Sequence, residues 1–141
     1  GEIYSVQGDD FKALDYFKKS LKIVLSVYGE NHSQVSSIYD HIGEIYFAQK
    51  DYSKALYYFE ESLKIRLSLF GENHPEVALS YYSIGSLYII QGDKSKALNY
   101  YEKSLKIRLS VYGENHPLTK EIMDLINVAN SKVLQSPETT K

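Results

Sequence analysis

The residues in this chain whose types and spacing could support chemistry include three of its four histidines and two pairs of adjacent carboxylates. His32, His74 and His116 each follow Glu-Asn in a repeated sequence. A zinc site needs four ligands, and none of these histidines has a second ligand at near spacing, so we assign them to a turn that starts a helix. The pairs Asp9-Asp10 and Glu60-Glu61 are sequence neighbours, which point to different sides of a helix and cannot share a substrate.

The sequence carries no signature of a catalytic site. It has no phosphate-binding glycine loop with its lysine, no nucleophile elbow, no zinc-ligand pair one helical turn apart and no cysteine. We therefore predict that the chain is not an enzyme and uses no metal or cofactor. Without cysteine there is no disulfide framework, and a reducing compartment is allowed.

Composition and charge narrow the classes of partner. The 141 residues suffice for one domain with a continuous core, and the net charge of -2 gives no pull toward nucleic acid or an anionic membrane. No apolar run is long enough to cross a bilayer. These features predict a soluble, cytoplasmic chain with no nucleic-acid or membrane partner.

The histidines belong to near-copies of one stretch, which is clearest at residues 64–75. Gly29, Gly71 and Gly113 mark the three copies and lie 42 residues apart. At the same offset Gly1-Glu2-Ile3-Tyr4 matches Gly43-Glu44-Ile45-Tyr46. Self-similarity at such a period is the signature of a stack of structural repeats.

Each repeat contains two helical patterns, called here helix A and helix B. Apolar residues at helical spacing predict helix A at about 34–49 and 76–91, and helix B at about 10–28, 52–70 and 94–112. The glycines of the repeated stretch are expected to end helix B in the left-handed conformation. Pro75 and Pro117 suit the first turn of the next helix A, where a missing amide costs nothing.

The turn between helix A and helix B has its own helix-capping residues. Gly8 and Gly92 are expected to end helix A, and the aspartate that follows each turn is expected to cap helix B. These aspartates are Asp9, Asp51 and Asp93. Lys50 occupies the glycine position in the middle turn, so we expect backbone strain there.

The two ends of the chain differ from the middle. A last helix A is predicted at 118–134, where Asn127 and Asn130 replace a glycine and a tyrosine, as suits a terminal cap. We predict one repeat domain, 1–135, containing a partial repeat (1–32), two full repeats (33–74 and 75–116) and a capping helix (117–135). Residues 136–141 are predicted to be a flexible tail. The start in mid-helix suggests a window from a longer array.

The recurring positions support a family resemblance. The pattern Tyr81, Ile84-Gly85, Tyr88, Gly92-Asp93 and Ala97-Leu98 resembles the tetratricopeptide repeat. The longer unit, with Gly-Glu-Asn-His-Pro-Glu-Val-Ala, is similar to the repeats of kinesin light chains and nephrocystin-like proteins. The resemblance covers about residues 1–128. It implies an all-α fold in which antiparallel helix pairs stack into a right-handed solenoid.

The resemblance also implies binding of a protein or peptide. In this family helix A lines a concave face, and its usual contact positions carry over to this sequence. They are Ser37, Asp40, Glu44, Phe47, Leu79, Tyr82, Ser86, Ile89, Glu121 and Asp124, with Glu2, Ser5, Val6 and Val128 at matching positions nearer the ends. Such a groove is acidic with an aromatic and aliphatic middle, so we predict a partner segment with basic and apolar character.

Several alternatives remain open from the sequence. The acidic residues could form an ordinary solvated face, and Tyr82 and Phe47 could pack between helices. Helix B carries basic residues, including Arg66 and Arg108, but glutamates balance them and argue against RNA binding. Self-association is the second functional hypothesis, because the repeats are nearly interchangeable and the first helix B lacks a full cover.

Overall fold

The chain forms α-helices joined by short turns. The computed structural model describes the backbone of residues 2–139 and the side chains of residues 10–131. The helices are α1 (Glu2–Tyr28), α2 (Ser33–Ala48), α3 (Tyr52–Phe70), α4 (Pro75–Gln91), α5 (Lys94–Tyr112) and α6 (Pro117–Thr139). No strand occurs in this described range, which confirms the all-α prediction. The chain divides into two compact units, residues 1–69 and 70–141, and a single continuous repeat domain stays a prediction.

The repeated stretch is the joint between helix B and the next helix A, as predicted. Gly71 has φ of 80° and follows α3. His74 is the N-cap of α4: its Nδ1 accepts a hydrogen bond from the Glu76 amide at 3.1 Å. The His74 ring also stacks on Phe70, with centroids 4.1 Å apart. One imidazole thus satisfies a free helix amide and covers the aromatic side chain that ends the previous helix.

The other two joints repeat this arrangement. His32 and His116 accept from the amides of Gln34 and Leu118, both at 3.1 Å, and both rings stack on the tyrosine that ends the preceding helix. The interpretation of the three histidines as helix-start residues is confirmed. No group of three or more potential metal ligands occurs among the described residues.

The turns from helix A to helix B follow the predicted caps. Asp51 accepts from the Lys54 amide at 3.3 Å and Asp93 from the Lys96 amide at 3.2 Å. Gly92 takes the left-handed conformation at φ 86°, and Lys50 takes it at φ 65°. The backbone strain expected at Lys50 is therefore present. The middle turn has the same left-handed geometry as the turn at Gly92, although it has no glycine.

Replacing Lys50 with glycine is expected to stabilise the chain by about 1 kcal/mol. A residue with a Cβ pays roughly 1–2 kcal/mol for the left-handed conformation, and glycine does not. Denaturant unfolding measures the gain, and Gln49→Gly is the matched control because Gln49 has φ of -80°. A loss of stability in Lys50→Gly, or an equal gain in Gln49→Gly, would contradict a strained turn.

The first helix differs from the prediction. We expected helix A to end at Gly8 and Asp9 to cap a new helix, but α1 runs without a break from Glu2 to Tyr28. Continuing the helix through Gly8 pairs the backbone amides that a turn would leave without helical partners. This outweighs the roughly 1 kcal/mol that a glycine costs inside a helix.

The last helix is longer than predicted. It was expected to end at about residue 134, but α6 continues to Thr139 and includes Pro137. The predicted tail from residue 136 is therefore helical as far as Thr139.

Close packing inside each unit depends on a glycine in helix A. A Cβ added to Gly43 would lie 2.7 Å from the Phe59 ring, and one added to Gly85 would lie 2.7 Å from the Tyr101 ring. These glycines let an aromatic side chain of helix B lie directly against the backbone of helix A. Ile42 and Ile84, next to them, are fully buried. The pairs α2–α3 and α4–α5 are thereby held in matching register.

Candidate interaction surface

The predicted contact residues of α2 fall into three different environments. Glu44 and Ser37 are exposed. Phe47 is half-buried and packs edge-on against Tyr52, with ring centroids 5.7 Å apart. Asp40 is only 13 % exposed and forms an ion pair with Arg66 at 2.6 Å. Of the two carboxylates predicted on α2, Glu44 is exposed and Asp40 is not.

The Asp40–Arg66 pair corrects the role assigned to Asp40 from the sequence. Arg66 is buried to 3 % exposure, and an arginine cannot shed its charge, so it needs a buried counter-ion. Burial raises the pKa of the Asp40 carboxyl, and the Arg66 guanidinium opposes that rise. Asp40 thus neutralises a core cation and is not an open acidic group for a ligand.

The predicted residues of α4 lie in the second unit. Tyr82 stands at the position equivalent to Asp40 and covers Arg108, the counterpart of Arg66, with the guanidinium carbon 5.3 Å from the ring centroid. Ser86 shares a hydrogen bond of 2.9 Å with the hydroxyl of Tyr101. Ser86 and Tyr82 are half-buried and take part in packing.

The remaining predicted residues lie at both ends of α4 and on α6. Leu79, at the start of α4, is exposed. Glu121 lies 3.7 Å from Arg108 and is half exposed, so part of its charge is balanced. Asp124 is exposed and lies one turn before Val128 on the same face of α6. The side chains of Glu2, Ser5 and Val6 lie outside the described residues.

A cavity of about 230 Å³ opens between α4, α5 and α6. Tyr101 forms its floor, because this ring is buried to 3 % exposure and its hydroxyl is held by Ser86. The other lining residues are Ile89, Lys94, Leu125, Val128 and Ala129. The site is therefore mainly aliphatic, with one lysine at its margin, and it has the size of one or two side chains.

Sequence reasoning found part of this cavity. Ile89 was predicted as a contact residue, and Val128 as a matching position in the last helix. Leu125 and Ala129 were missed, because only the usual contact positions of the family were carried over to α6. The helical spacing of Leu125 and Val128 was the available signal, since residues three apart share a face.

The structure corrects the placement of two arginines of helix B. We interpreted Arg66 and Arg108 as part of a surface of mixed charge, yet both are 3 % exposed. Arg108 donates to the carbonyl of Leu118 at 3.1 Å and so helps to fix the start of α6. The signal available in the sequence was that Arg recurs at the same position in two repeats, between the apolar residues Ile and Leu.

The repeated helix pairs, joined by the same capped turns, define an all-α helical-repeat protein. The sequence profile of the tetratricopeptide repeat matches residues 1–68 and 37–110. Because this match covers more than half of the chain, the chain belongs to the tetratricopeptide repeat family. None of the curated protein sequences compared with it matches.

Two solved structures share the fold. BtubC (BKLC) from P. vanneervenii superposes with a TM-score of 0.81 at 24 % identity over 89 % of this chain and 50 % of its own. The N-terminal domain of stress-induced protein-1 (STI-1) from C. elegans gives 0.59 at 13 % identity over 89 % of this chain and 97 % of its own. This chain therefore spans about half the length of BtubC. At these identities the likeness concerns the fold alone.

Membership of this family gives the general class of function. Tetratricopeptide repeats form a protein-interaction fold without catalytic activity of its own, and members serve as scaffolds for other proteins. Among the helices within residues 2–139, none has an apolar stretch that could cross a bilayer.

Proposed function

We propose that the second unit holds an apolar side chain of a partner protein in the cavity between α4, α5 and α6. The supporting observation is the cavity itself, whose floor is a rigidly held Tyr101 and whose walls are aliphatic. Val128 on its wall is 50 % exposed although it is apolar. Covering such a residue removes apolar surface from water, which supplies most of the favourable free energy in protein association.

Charge adds a second requirement on the partner. Asp124 is exposed on the same face of α6 as Val128, and it attracts a lysine or arginine placed about one helical turn from the apolar anchor. Glu44 is an exposed carboxylate of the first unit, at the repeat position of Val128. The partner we propose is thus a segment with one apolar anchor and a basic residue near it.

Peptides selected from a phage-displayed random library test this proposal. The selected peptides are expected to carry an aliphatic or aromatic anchor near a lysine or arginine. Val128→Glu should weaken their binding at least tenfold, about 1.4 kcal/mol, because it places a charge in the aliphatic wall. Titration calorimetry measures the affinities.

The second unit offers a matched control. Val111→Glu changes the same residue type at 40 % exposure on α5, outside the cavity lining, and should leave the affinity unchanged. Asp124→Lys should weaken binding several-fold in low salt and less in high salt, because salt screens an exposed charge. Equal affinities for Val128→Glu and the original chain would contradict the proposed site.

Self-association is the second candidate function, and α1 provides the observation that favours it. Tyr16, Ile23 and Val27 form an apolar stripe on α1 and are each more than 60 % exposed. The residues at the repeat position of Ile23 are Ile65 and Ile107, which are both buried. A second copy that paired α1 with α1 would cover this stripe.

Sedimentation over a wide concentration range tests the second candidate. The chain is expected to dimerise as concentration rises, and Ile23→Lys should shift it to monomer because a lysine cannot be buried unpaired. Val111→Lys serves as the control on another exposed valine. A monomer at every concentration would rule out self-association and would leave the cavity proposal untouched.

A further inference from the structure

The two units contain the same cluster of three tyrosines. In the second unit Tyr100 lies 6.0 Å from Tyr81 and 5.7 Å from Tyr88, with interplanar angles of 41° and 14°. In the first unit Tyr58 lies 5.8 Å from Tyr39 and 5.7 Å from Tyr46, with angles of 40° and 11°. Since the 42-residue offset relates each ring to its counterpart, the first unit reproduces the aromatic geometry of the second.

The clusters differ in the charge placed over them. The ammonium of Lys103 lies 5.5 Å from the Tyr81 centroid and 5.4 Å from the Tyr100 centroid, which is cation–π geometry. The residue at this repeat position in the first unit is Glu61. The first unit thus keeps the three rings, and it has a carboxylate at the repeat position from which Lys103 covers Tyr81 and Tyr100.

A cavity of about 480 Å³ lies at this place in the first unit. Its lining includes the ring of Tyr39, the exposed Tyr57 and the carboxylates of Glu61 and Glu30. Asn31 forms part of the rim, where its side chain donates to Ser68 at 3.3 Å and ties the joint to α3. Burial, together with Glu61, Tyr57 and Glu30, raises the pKa of Tyr39, in keeping with a negative potential in the cavity.

Lys64 does not take the place of the missing lysine. Its ammonium lies 3.9 Å from Glu61, but its side chain is 78 % exposed, so the pair is at the cavity margin. The second unit has Lys106 at the equivalent position and carries Lys103 as well. The first unit has cations of its own over Tyr46, where Lys54 and Lys18 lie 5.3 and 5.8 Å from the ring centroid. The difference between the units is therefore local: Glu61 stands beside Tyr39 where Lys103 stands over Tyr81.

We propose that this cavity binds an alkylammonium group, supplied by a lysine side chain of a protein partner or by a free polyamine. The bound ammonium lies over the Tyr39 ring, as the Lys103 ammonium lies over the Tyr81 ring, and Glu61 and Glu30 are its counter-ions. This site belongs to the first unit and does not depend on the cavity proposed for the second.

Exchanging the two charges between the units tests the proposal. The full chain with labelled tyrosines is titrated with butylammonium chloride, and sodium chloride at equal ionic strength is the control. The Tyr39 resonances should shift in a saturable way. Glu61→Lys should weaken binding at least tenfold, because the new lysine supplies the cation from within the chain. Glu61→Gln should weaken it about threefold, because it removes only the charge.

The second unit provides the complementary variant. Lys103→Glu should create a second site, seen as saturable shifts at Tyr81, and the exchange Glu61→Lys with Lys103→Glu should move binding from Tyr39 to Tyr81. Circular dichroism confirms that each variant stays helical. Shifts at Tyr39 that persist in Glu61→Lys, or that sodium chloride reproduces, would overturn the proposal.

Two further probes identify the source of the ammonium. They are the capped peptide acetyl-Gly-Lys-Gly-amide, compared with its norleucine counterpart, and spermidine. Tighter binding of the lysine peptide than of butylammonium indicates a protein lysine, and tighter binding of spermidine alone indicates a free polyamine. If no probe shifts the Tyr39 resonances, this proposal fails. The cavity proposed for the second unit is tested independently by Val128→Glu.

Discussion

Asp40→Ala is expected to destabilise the first unit by about 3–5 kcal/mol, which is the usual cost of removing one partner from a buried ion pair. Arg66 is 3 % exposed and its ion pair with Asp40 spans 2.6 Å. Once the carboxylate is gone, a guanidinium that cannot lose its proton stays buried without that charge partner. Denaturant unfolding monitored by helix content measures the loss.

The second unit supplies the rescue variant. Tyr82 stands where Asp40 stands and accommodates Arg108 through its ring face at 5.3 Å. Asp40→Tyr should therefore be more stable than Asp40→Ala, because a cation over an aromatic ring recovers part of the lost interaction. If both variants are as stable as the original chain, the ion pair does not hold the first unit together.

Gly85→Val is expected to destabilise the second unit by about 3 kcal/mol through overpacking. The added Cβ would lie 2.7 Å from the ring of Tyr101 and 3.2 Å from the carbonyl of Ala97. Tyr101 is buried and cannot swing away, so α4 and α5 must separate. This cost exceeds the gain of about 0.5 kcal/mol that valine brings over glycine as a helix former.

A double-mutant cycle isolates the clash. In a chain that already carries Tyr101→Ala, Gly85→Val should cost at least 1 kcal/mol less, since the ring it meets is absent. Ser83→Val on the same helix is the control for the β-branched side chain itself. Additive effects of Gly85→Val and Tyr101→Ala would show that the glycine is not required for close approach.

The turns and helix limits were predictable because their causes are local. His74, Gly71 and Asp93 act on atoms a few residues away, so their types and spacing determine the caps directly. The same local logic failed in α1. There the residue types within the expected turn, Gly8 and Asp9, allow either a turn or a continued helix, and the helix continues.

The candidate sites were less predictable because they depend on contacts between distant residues. Asp40 looked like a ligand-binding acid until its carboxylate was found against Arg66, which is distant in the chain. The cavity of the second unit likewise needs Tyr101 from α5 and Leu125 from α6 to meet. Helical spacing gives the face on which a residue lies, but not which partner covers that face.

The difference between Lys103 and Glu61 shows how comparing equivalent positions of the repeats locates a candidate site. Both residues resemble ordinary surface charges in the sequence. The structure shows that they hold the same repeat position next to equivalent tyrosine clusters. We propose that binding differs between the units at the positions that vary between otherwise equivalent repeats. The joint, with its glycine and histidine, is the same in each copy and sets the turn between helices.

The most direct test of the proposed function is a nuclear Overhauser measurement on the chain bound to a library-selected peptide. With methyl-labelled Ile, Leu and Val, we predict intermolecular effects between the apolar anchor of the peptide and the methyl groups of Ile89, Leu125 and Val128. Contacts confined to Val111 or to the first unit, with none at those three residues, would contradict the proposal that this cavity holds the partner.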